Sequence, residues 1–337
     1  GAISINGSVG ASGGTIEINH SGSSTGVATI SGNLGANVQS VTQDSSTSNL
    51  TLSGDNSAFT GNVTVNAGSV TVGSSTAFNA ANVVQLTGGK LQIGVNVTNG
   101  AFDTTVAGLN GTSGDVTNNG KTTQTLTLGG SGTYSYAGTL NTSSQDATHT
   151  ARFKLAVALT GSGSQTLTGD SYFSGGTTIT SGTLLANNST GSALGTGTVA
   201  VNGGTLGGTG FIGGASTVTG GNLAAGTVGT AGTLTFNSTL NLSGLSGTGQ
   251  LKFDLGAVGS SDKIALSSGA LSIGSGVLNF DDFSFTALSG FGGGTYTLLD
   301  TSTSISGTLG TSLTGTVNGL NATLSLSGDG QDVLLTV

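Results

Sequence analysis

The sequence predicts an all-β chain wound as a parallel β-helix (a β-solenoid) of right-handed sense. Three observations predict it. Short stretches in which apolar residues alternate with Thr, Ser or Asn recur from end to end, so each can bury one face. Gly-rich and Asn-Gly turns separate them. One stretch also occurs twice, at 52–91 and 174–206. Phe59, Thr64, Val65, Gly68 and Val70 match Phe173, Thr178, Ile179, Gly182 and Leu184 at a constant offset of 114. Gly88, Gly89 and Leu91 match Gly203, Gly204 and Leu206 with one residue of slippage, as a loop insertion produces. So short a piece cannot bury its own apolar face and needs copies stacked on it. A sandwich would need no such repeat, whereas a β-helix turns with roughly 20 residues per coil.

Taken in order, the chain opens with the alternating strands Ala2–Ile5 and Thr15–Ile18, followed by Val27–Ile30, Val38–Val41 and Asn49–Leu52. After the first repeat, Val83–Leu86 and Leu91–Val97 follow. Asn99-Gly100, Asn110-Gly111 and Asn119-Gly120 read as turns. Thr122–Leu128, Thr133–Leu140 and Ala151–Thr160 read as strands, with the polar Asn141–Thr150 between them as a protruding loop. The second repeat supplies Thr177–Ile179, Leu184–Ala186 and Thr198–Val201. Beyond it, Thr233–Phe236, Leu251–Leu255, Lys263–Leu266, Leu271–Ile273, Val277–Phe280, Phe283–Leu288, Thr295–Leu299, Thr316–Leu326 and Asp332–Val337 each read as one strand. No 3.6-residue periodicity or capping box marks a helix. The expected division is a solenoid over 1–220 and a C-terminal β region over 221–337. That region either continues the solenoid or departs from the regular coils as a separate β-domain.

Composition narrows the function. Gly is 64 of 337 residues and charged residues are 6%. Disorder pairs low hydrophobicity with high net charge, whereas here charge is scarce and Val, Leu and Ile alternate regularly, which favours order. A net charge of −8 with six scattered basic residues argues against nucleic acid as partner. No apolar run approaches the roughly 20 residues of a membrane-spanning helix. The absence of Cys excludes disulfides and thiolate metal sites. Gly1, with no initiating Met, reads as a mature or trimmed terminus.

The pattern GGTT-I-SGTL…ALGTGTV-VNGGTL at 174–206 resembles the autotransporter-associated β-strand repeat, also called the passenger-associated transport repeat. The copy at 52–91 is looser, with Asn62 and Val63 where the pattern prefers Gly and Thr. Residues 221–337, through GNLAAG, TYTLLD and DVLLTV, resemble the ends of PEP-CTERM surface proteins, without the sorting signal itself. The resemblance implies a β-solenoid with an extracellular or cell-surface location, and it carries no catalytic residues.

Residue by residue, few groups suggest chemistry. Asp281-Asp282 and Asp329/Asp332 are the nearest carboxylate pairs, and neighbours in a strand point to opposite faces. GDGQD lacks the tandem spacing of calcium β-rolls. His20 and His149 have no Asp or Ser at triad-like spacing. Tyr134, Tyr136 and Tyr172 mark either a sugar-binding face or a core edge. Lys154 and Lys263 are the candidates for an isopeptide link. No catalytic, cofactor or metal site is expected, and no enzyme. What stands out is the ends. Both termini read as bare strands without a cap, and bare strand edges recruit other strands. The expected subunit contacts are Ala2, Ile3 and Ile5 at one end and Val333, Leu334, Leu335 and Val337 at the other. A contact of this head-to-tail kind that does not close makes a filament. The expected function is therefore a self-assembling subunit of an extracellular filament or surface matrix, with copies of itself as partner and surface polysaccharide as a further one. The rivals are a monomeric adhesin or passenger stalk and, behind it, a polysaccharide-active β-helix enzyme.

Overall fold

The computed structural model describes residues 3–5, 7–10, 14–23, 25–94, 102–118, 120, 122–141 and 154–337. All described regular structure is β, apart from one 3-10 turn. The chain divides into two compact units, Gly1–Gly176 and Thr177–Val337.

In the first unit the early coils have two strands each. β1 (Ile3–Ile5), β3 (Val27–Ile30), β5 (Asn49–Leu52) and β7 (Ser69–Val72) stack in parallel, and β9 (Lys90–Gly94) continues the stack. β2 (Ile16–His20), β4 (Val38–Gln43), β6 (Asn62–Val65) and β8 (Val83–Leu86) form the facing sheet. A coil takes 20 to 21 residues where Asn49 meets Ser69 and Thr71 meets Gln92. From β10 (Thr104–Val106) on, each coil gains a strand in a third sheet. β11 (Gly108–Gly111) and β12 (Asp115–Asn118) follow, then β13 (Gln124–Leu128), β14 (Thr133–Tyr136) and β15 (Thr139–Leu140). β16 (Leu155–Leu159) and β17 (Ser164–Leu167) complete this unit.

Register explains why alternation suffices to specify these coils. Ile18, Val41, Val63, Val84 and Leu109 are successive partners up one sheet. Ala28, Leu50, Val70, Leu91, Val116 and Leu140 are successive partners up the other. A one-residue slip would turn each column from core to solvent, so burial of one face locks the register. The corner between β6 and β7 turns at Gly68, whose φ is +58°. A Cβ there would overlap the carbonyl oxygen of Ser45. Gly182, its counterpart in the second repeat, has φ +67°.

The second unit begins with β18 (Thr177–Ile179) and β19 (Thr183–Ala186). Full three-strand coils follow: β20 (Val199–Val201), β21 (Thr205–Gly208) and β22 (Phe211–Ile212), then β23 (Ser216–Val218), β24 (Asn222–Ala225) and β25 (Thr233–Phe236). β26 (Leu240–Asn241), β27 (Leu251–Leu255) and β28 (Lys263–Leu266) form the next coil, and β29 (Leu271–Leu278), β30 (Phe283–Ala287) and β31 (Thr295–Thr301) the one after. β32 (Ser306–Leu309) adds a last parallel rung on β29. The sequence separation of stacked partners grows from 17, at Asn202 and Thr219, to 35, at Ile264 and Leu299, as the loops between strands lengthen.

Parallel winding continues past residue 221 and ends at β31 and β32. Then the chain reverses. β33 (Thr314–Val317), β34 (Leu320–Leu326) and β35 (Asp332–Thr336) form an antiparallel meander, added to the sheet in the order β31-β35-β34-β33. The single strand expected over Thr316–Leu326 is thus a hairpin. Asn318 and Gly319 turn it with φ of +48° and +82°, both in the left-handed region that a two-residue hairpin turn requires. Other boundaries differ as well. Thr133–Leu140 breaks into β14 and β15. Leu271–Ile273 and Val277–Phe280 merge into β29, after which Phe280–Asp282 form the 3-10 turn. The loop expected over 141–150 lies outside the described residues beyond Asn141.

Candidate functional site

Since the ends carry the sequence-derived site, their placement matters first. Ile3 and Ile5 lie in β1, hydrogen-bonded to β3 on one side and terminal in its sheet. Ala2 lies outside the described residues. At the other end the geometry differs from the expectation. Val333, Leu334 and Leu335 lie in β35, which pairs antiparallel with β31 on one side and with β34 on the other. The N–H of Val337 donates to Gly294 O at 2.9 Å, and its own C=O accepts from Gly294 N at 3.0 Å. This segment is an internal strand rather than a bare edge. The correction has a physical cause: the Asn318-Gly319 reversal brings β34 back against β35 and satisfies the groups an edge would expose.

The meander is amphipathic. Val317, Ala322, Leu324, Val333 and Leu335 are buried on one face, while Thr316, Asn321, Thr323 and Ser325 are exposed on the other. Gly315 lies so close to the ring of Phe280 that a Cβ would collide with it. Phe280 in turn packs against Phe285, with ring centroids 5.6 Å apart. Phe283 and Phe285 stack at 5.7 Å, and Phe253 lies 6.0 Å from Phe283. The last parallel coil of this unit therefore ends in an aromatic cluster covered by the chain's own antiparallel strands.

The titratable groups are tied up locally. Asp282 is buried and accepts from Asn279 N at 2.6 Å, while Asp281 is exposed. Burial raises the Asp282 carboxyl above the ordinary carboxylate range. Asp329 accepts from Ser327 Oγ at 2.6 Å in an exposed turn, and those hydrogen bonds lower it. Asp332 is raised by burial and then by the charges of Asp300 and Asp329. Asp254 and Asp262 form the most buried pair. Asp262 Oδ1 accepts from Gly232 N at 2.7 Å and its Oδ2 from Asp254 N at 2.8 Å. Asp254 Oδ2 accepts from Gly229 N at 2.5 Å. These carboxylates pin the 226–232 loop to β27 and β28. Among the described residues no group of three or more His, Cys, Asp or Glu is placed to hold a metal.

The fold does assemble one constellation that sequence spacing concealed. His20 Nδ1 lies 2.6 Å from Gln43 Oε1, and its Nε2 lies 3.3 Å from Ser48 Oγ. Stacking of β2 on β4 brings these residues together. Ser48 Oγ, however, donates to Gly26 O, and Gln43 Nε2 donates to Ser48 O and Ser69 O. A serine whose proton is held by a backbone carbonyl, beside a neutral amide, lacks the proton path of a nucleophile–base pair. Ser48 and Gln43 satisfy backbone carbonyls of a buried corner, and His20 lies against both side chains. Their cue was Gln43 on the inward phase of β4, a polar residue in an apolar column.

The three tyrosines do not form a face. Tyr136 is fully buried and donates to Gly114 O at 2.7 Å. Burial, and then the charge of Asp115, pushes its hydroxyl far above the ordinary range. Tyr134 is half-buried against Gly108, and Tyr172 is exposed and donates to Asp170 at 3.1 Å. Lys154 is exposed, and Lys263 pairs with Asp300 at 2.7 Å. His149 lies outside the described residues. No helix among the described residues is long and apolar enough to cross a membrane.

Comparison with known proteins agrees with this architecture. The Passenger-associated-transport-repeat family matches residues 45–72 and 159–186, two segments at the same offset of 114 that relates Phe59 to Phe173. The first segment holds β5, β6 and β7. Because β5 pairs with β7, it spans one complete coil and returns to the sheet it left. The second holds β17, β18 and β19. The family thus frames the repeat earlier than 52–91 and 174–206, starting on the strand that the coil comes back to. Neither match reaches residues 221–337. No curated protein matches the chain. The chain thus carries two segments that match the passenger-associated transport repeat, 28 residues each.

Proposed function

We propose that this protein is a passenger stalk, a structural β-solenoid of the cell exterior that works as a monomer. The observation that carries the reading is the antiparallel meander over the last coil of the second unit. Val333 and Leu335 point into the core there, and their backbone is paired on both sides. A strand satisfied in this way has nothing left to offer a neighbour. The composition supports the same reading, because outward Thr, Ser and Asn solvate the coils without charge-rich surfaces. Light scattering of the purified chain is expected to give 32.1 kDa at every concentration. Mass that grows with concentration, or filaments in negative stain, would overturn it.

The self-assembling filament is the second reading, favoured by strands that are last in their sheets, β1 and β2 in the first unit and β30, β32 and β33 in the second. It predicts that Ile3→Pro and Ile5→Pro shorten or abolish fibres. The stalk reading predicts no fibres to shorten.

A further inference from the structure

We propose that a groove on the outer face of the second unit is a binding site for one neutral hexose unit of a polysaccharide. The groove has a volume of about 370 Å³ and lies between the 256–261 loop and β31. Its floor is a row of side chains on adjacent strands: Thr233 on β25, Lys263 opposite it on β28, and Thr297 on β31. Thr295 and Val258 form its walls.

The lining has the chemistry of a sugar site. A pyranose offers hydroxyls that both donate and accept, plus one apolar C–H face. Threonine hydroxyls match the first property, since each donates one proton and accepts twice. Lys263 directs one N–H at Asp300 Oδ2, 2.7 Å away, which fixes the ammonium in place and leaves two protons for a ligand. Val258 supplies the apolar wall, and it is 55% exposed, unusual for a residue of its type in this chain.

The walls are held before any ligand arrives. The hydroxyl of buried Tyr296 donates to Gly292 O at 2.7 Å, accepts from Gly292 N at 3.1 Å and reaches Gly256 O at 3.3 Å. It therefore ties the start of the 256–261 loop to the turn before β31. Phe291 stacks on the Tyr296 ring at 5.7 Å. A groove already in its bound shape loses less freedom on binding.

Charge selects a neutral sugar over a uronate or a sulfated one. Asp300 sits beside Lys263, and Asp332 is the partner of Asp300 across the β31–β35 pair. One ammonium faces two carboxylates, within a chain of net charge −8. An anionic ring would meet repulsion there.

The inference goes beyond the stalk reading and stands whether the chain is monomeric or fibrous. The test is a titration of the ¹⁵N-labelled full chain with methyl β-glucoside, methyl β-galactoside, methyl α-mannoside and cellobiose, with galacturonate as the acidic probe. At least one neutral glycoside is expected to give saturable amide shifts at Thr233, Lys263 and Thr297, with a dissociation constant on the order of millimolar. Thr297→Val and Lys263→Met are expected to weaken that binding at least fivefold, while Thr64→Val, on the first unit, leaves it unchanged. The amide spectrum of each variant reports whether it is folded. No saturable shift with any neutral glycoside, or shifts with galacturonate of equal strength, would overturn the proposal.

Discussion

The side-chain amide of Gln165 closes on the backbone of Leu109 from two coils away. Its Oε1 accepts from the Leu109 N–H and its Nε2 donates to the Leu109 C=O, each at 2.9 Å. The intervening strand, β14, pairs with β11 only at Gly111 and Tyr136. Gln165 thus occupies the place of a missing rung, and both of its polar atoms work as a strand's backbone would.

Replacing Gln165 tests that rung. Gln165→Ala leaves a buried N–H and a buried C=O without partners, each costing roughly 1–3 kcal/mol. We expect a loss of about 3 kcal/mol in urea unfolding and faster hydrogen exchange at the Leu109 amide. Gln165→Glu is expected to lose nearly as much, since a carboxylate cannot donate to the Leu109 carbonyl. A midpoint unchanged in both variants would disprove the surrogate-rung account.

Asn82 makes a similar bracket in the first repeat. It is fully buried, donates to Phe59 O and Gly61 O at 2.9 Å each, and accepts from Asn79 N at 2.8 Å. Asn82→Leu fills the volume but takes the side-chain partner from Gly61 O and Asn79 N, while Phe59 O keeps the Asn79 side-chain amide at 2.8 Å. A destabilisation of roughly 2–4 kcal/mol is expected by denaturant titration. A value near zero would mean that water replaces the amide.

Asp262 sets a pH dependence. Burial pushes its carboxyl up to about 6 from 3.8, against the N–H groups of Asp254 and Gly232, which favour the charged form, while the charge of Asp254 adds to the rise. The native state therefore holds this proton more tightly than the unfolded state. Its contribution is fully present below the unfolded value and is lost as pH rises through about 6. Asp115, Asp282 and Asp332 are raised too and act in the same direction, while Asp329 is lowered and opposes them. The urea midpoint is expected to fall between pH 4 and pH 7, and Asp262→Asn is expected to flatten that fall. A midpoint that rises over this range, or the same slope in the variant, contradicts the assignment.

Leu335 distinguishes a cap from an assembly strand. As part of the cap, Leu335→Ala opens a cavity and costs about 2–5 kcal/mol. Its oligomeric state in light scattering is expected to stay that of the parent chain. Gly315→Val drives a side chain into Phe280 and is expected to raise exchange through β33 and β34 without touching the first unit. Preserved stability in Leu335→Ala together with a changed mass would reverse the reading.

How much of this was legible beforehand follows from what each signal measures. Alternation in Val63–Val65, Val70–Val72 and Leu234–Phe236 reports which face is buried, and the structure buries those faces. Gly68 marked its corner because a Cβ there would overlap the Ser45 carbonyl oxygen, and Gly182 because its φ is positive. The capping of the C-terminal end was missed although its cue, Asn318-Gly319, was present, because the apolar run on either side looked like one continuous strand. Ser164–Leu167 and Asn222–Ala225 were missed for the opposite reason, since polar or small residues break their alternation.

The sequence by itself determined the repeat, the inward columns and the corners, because these depend on neighbours a few residues apart. Only the tertiary structure decided which strands pair from coil to coil, that Ser48 and Gln43 meet His20, and that Val333–Leu335 lie inside a sheet. Those outcomes depend on how many residues each outer loop inserts between stacked rungs. Loop closure costs little more for a long loop than for a short one, so local composition leaves no trace of which rung the chain returns to.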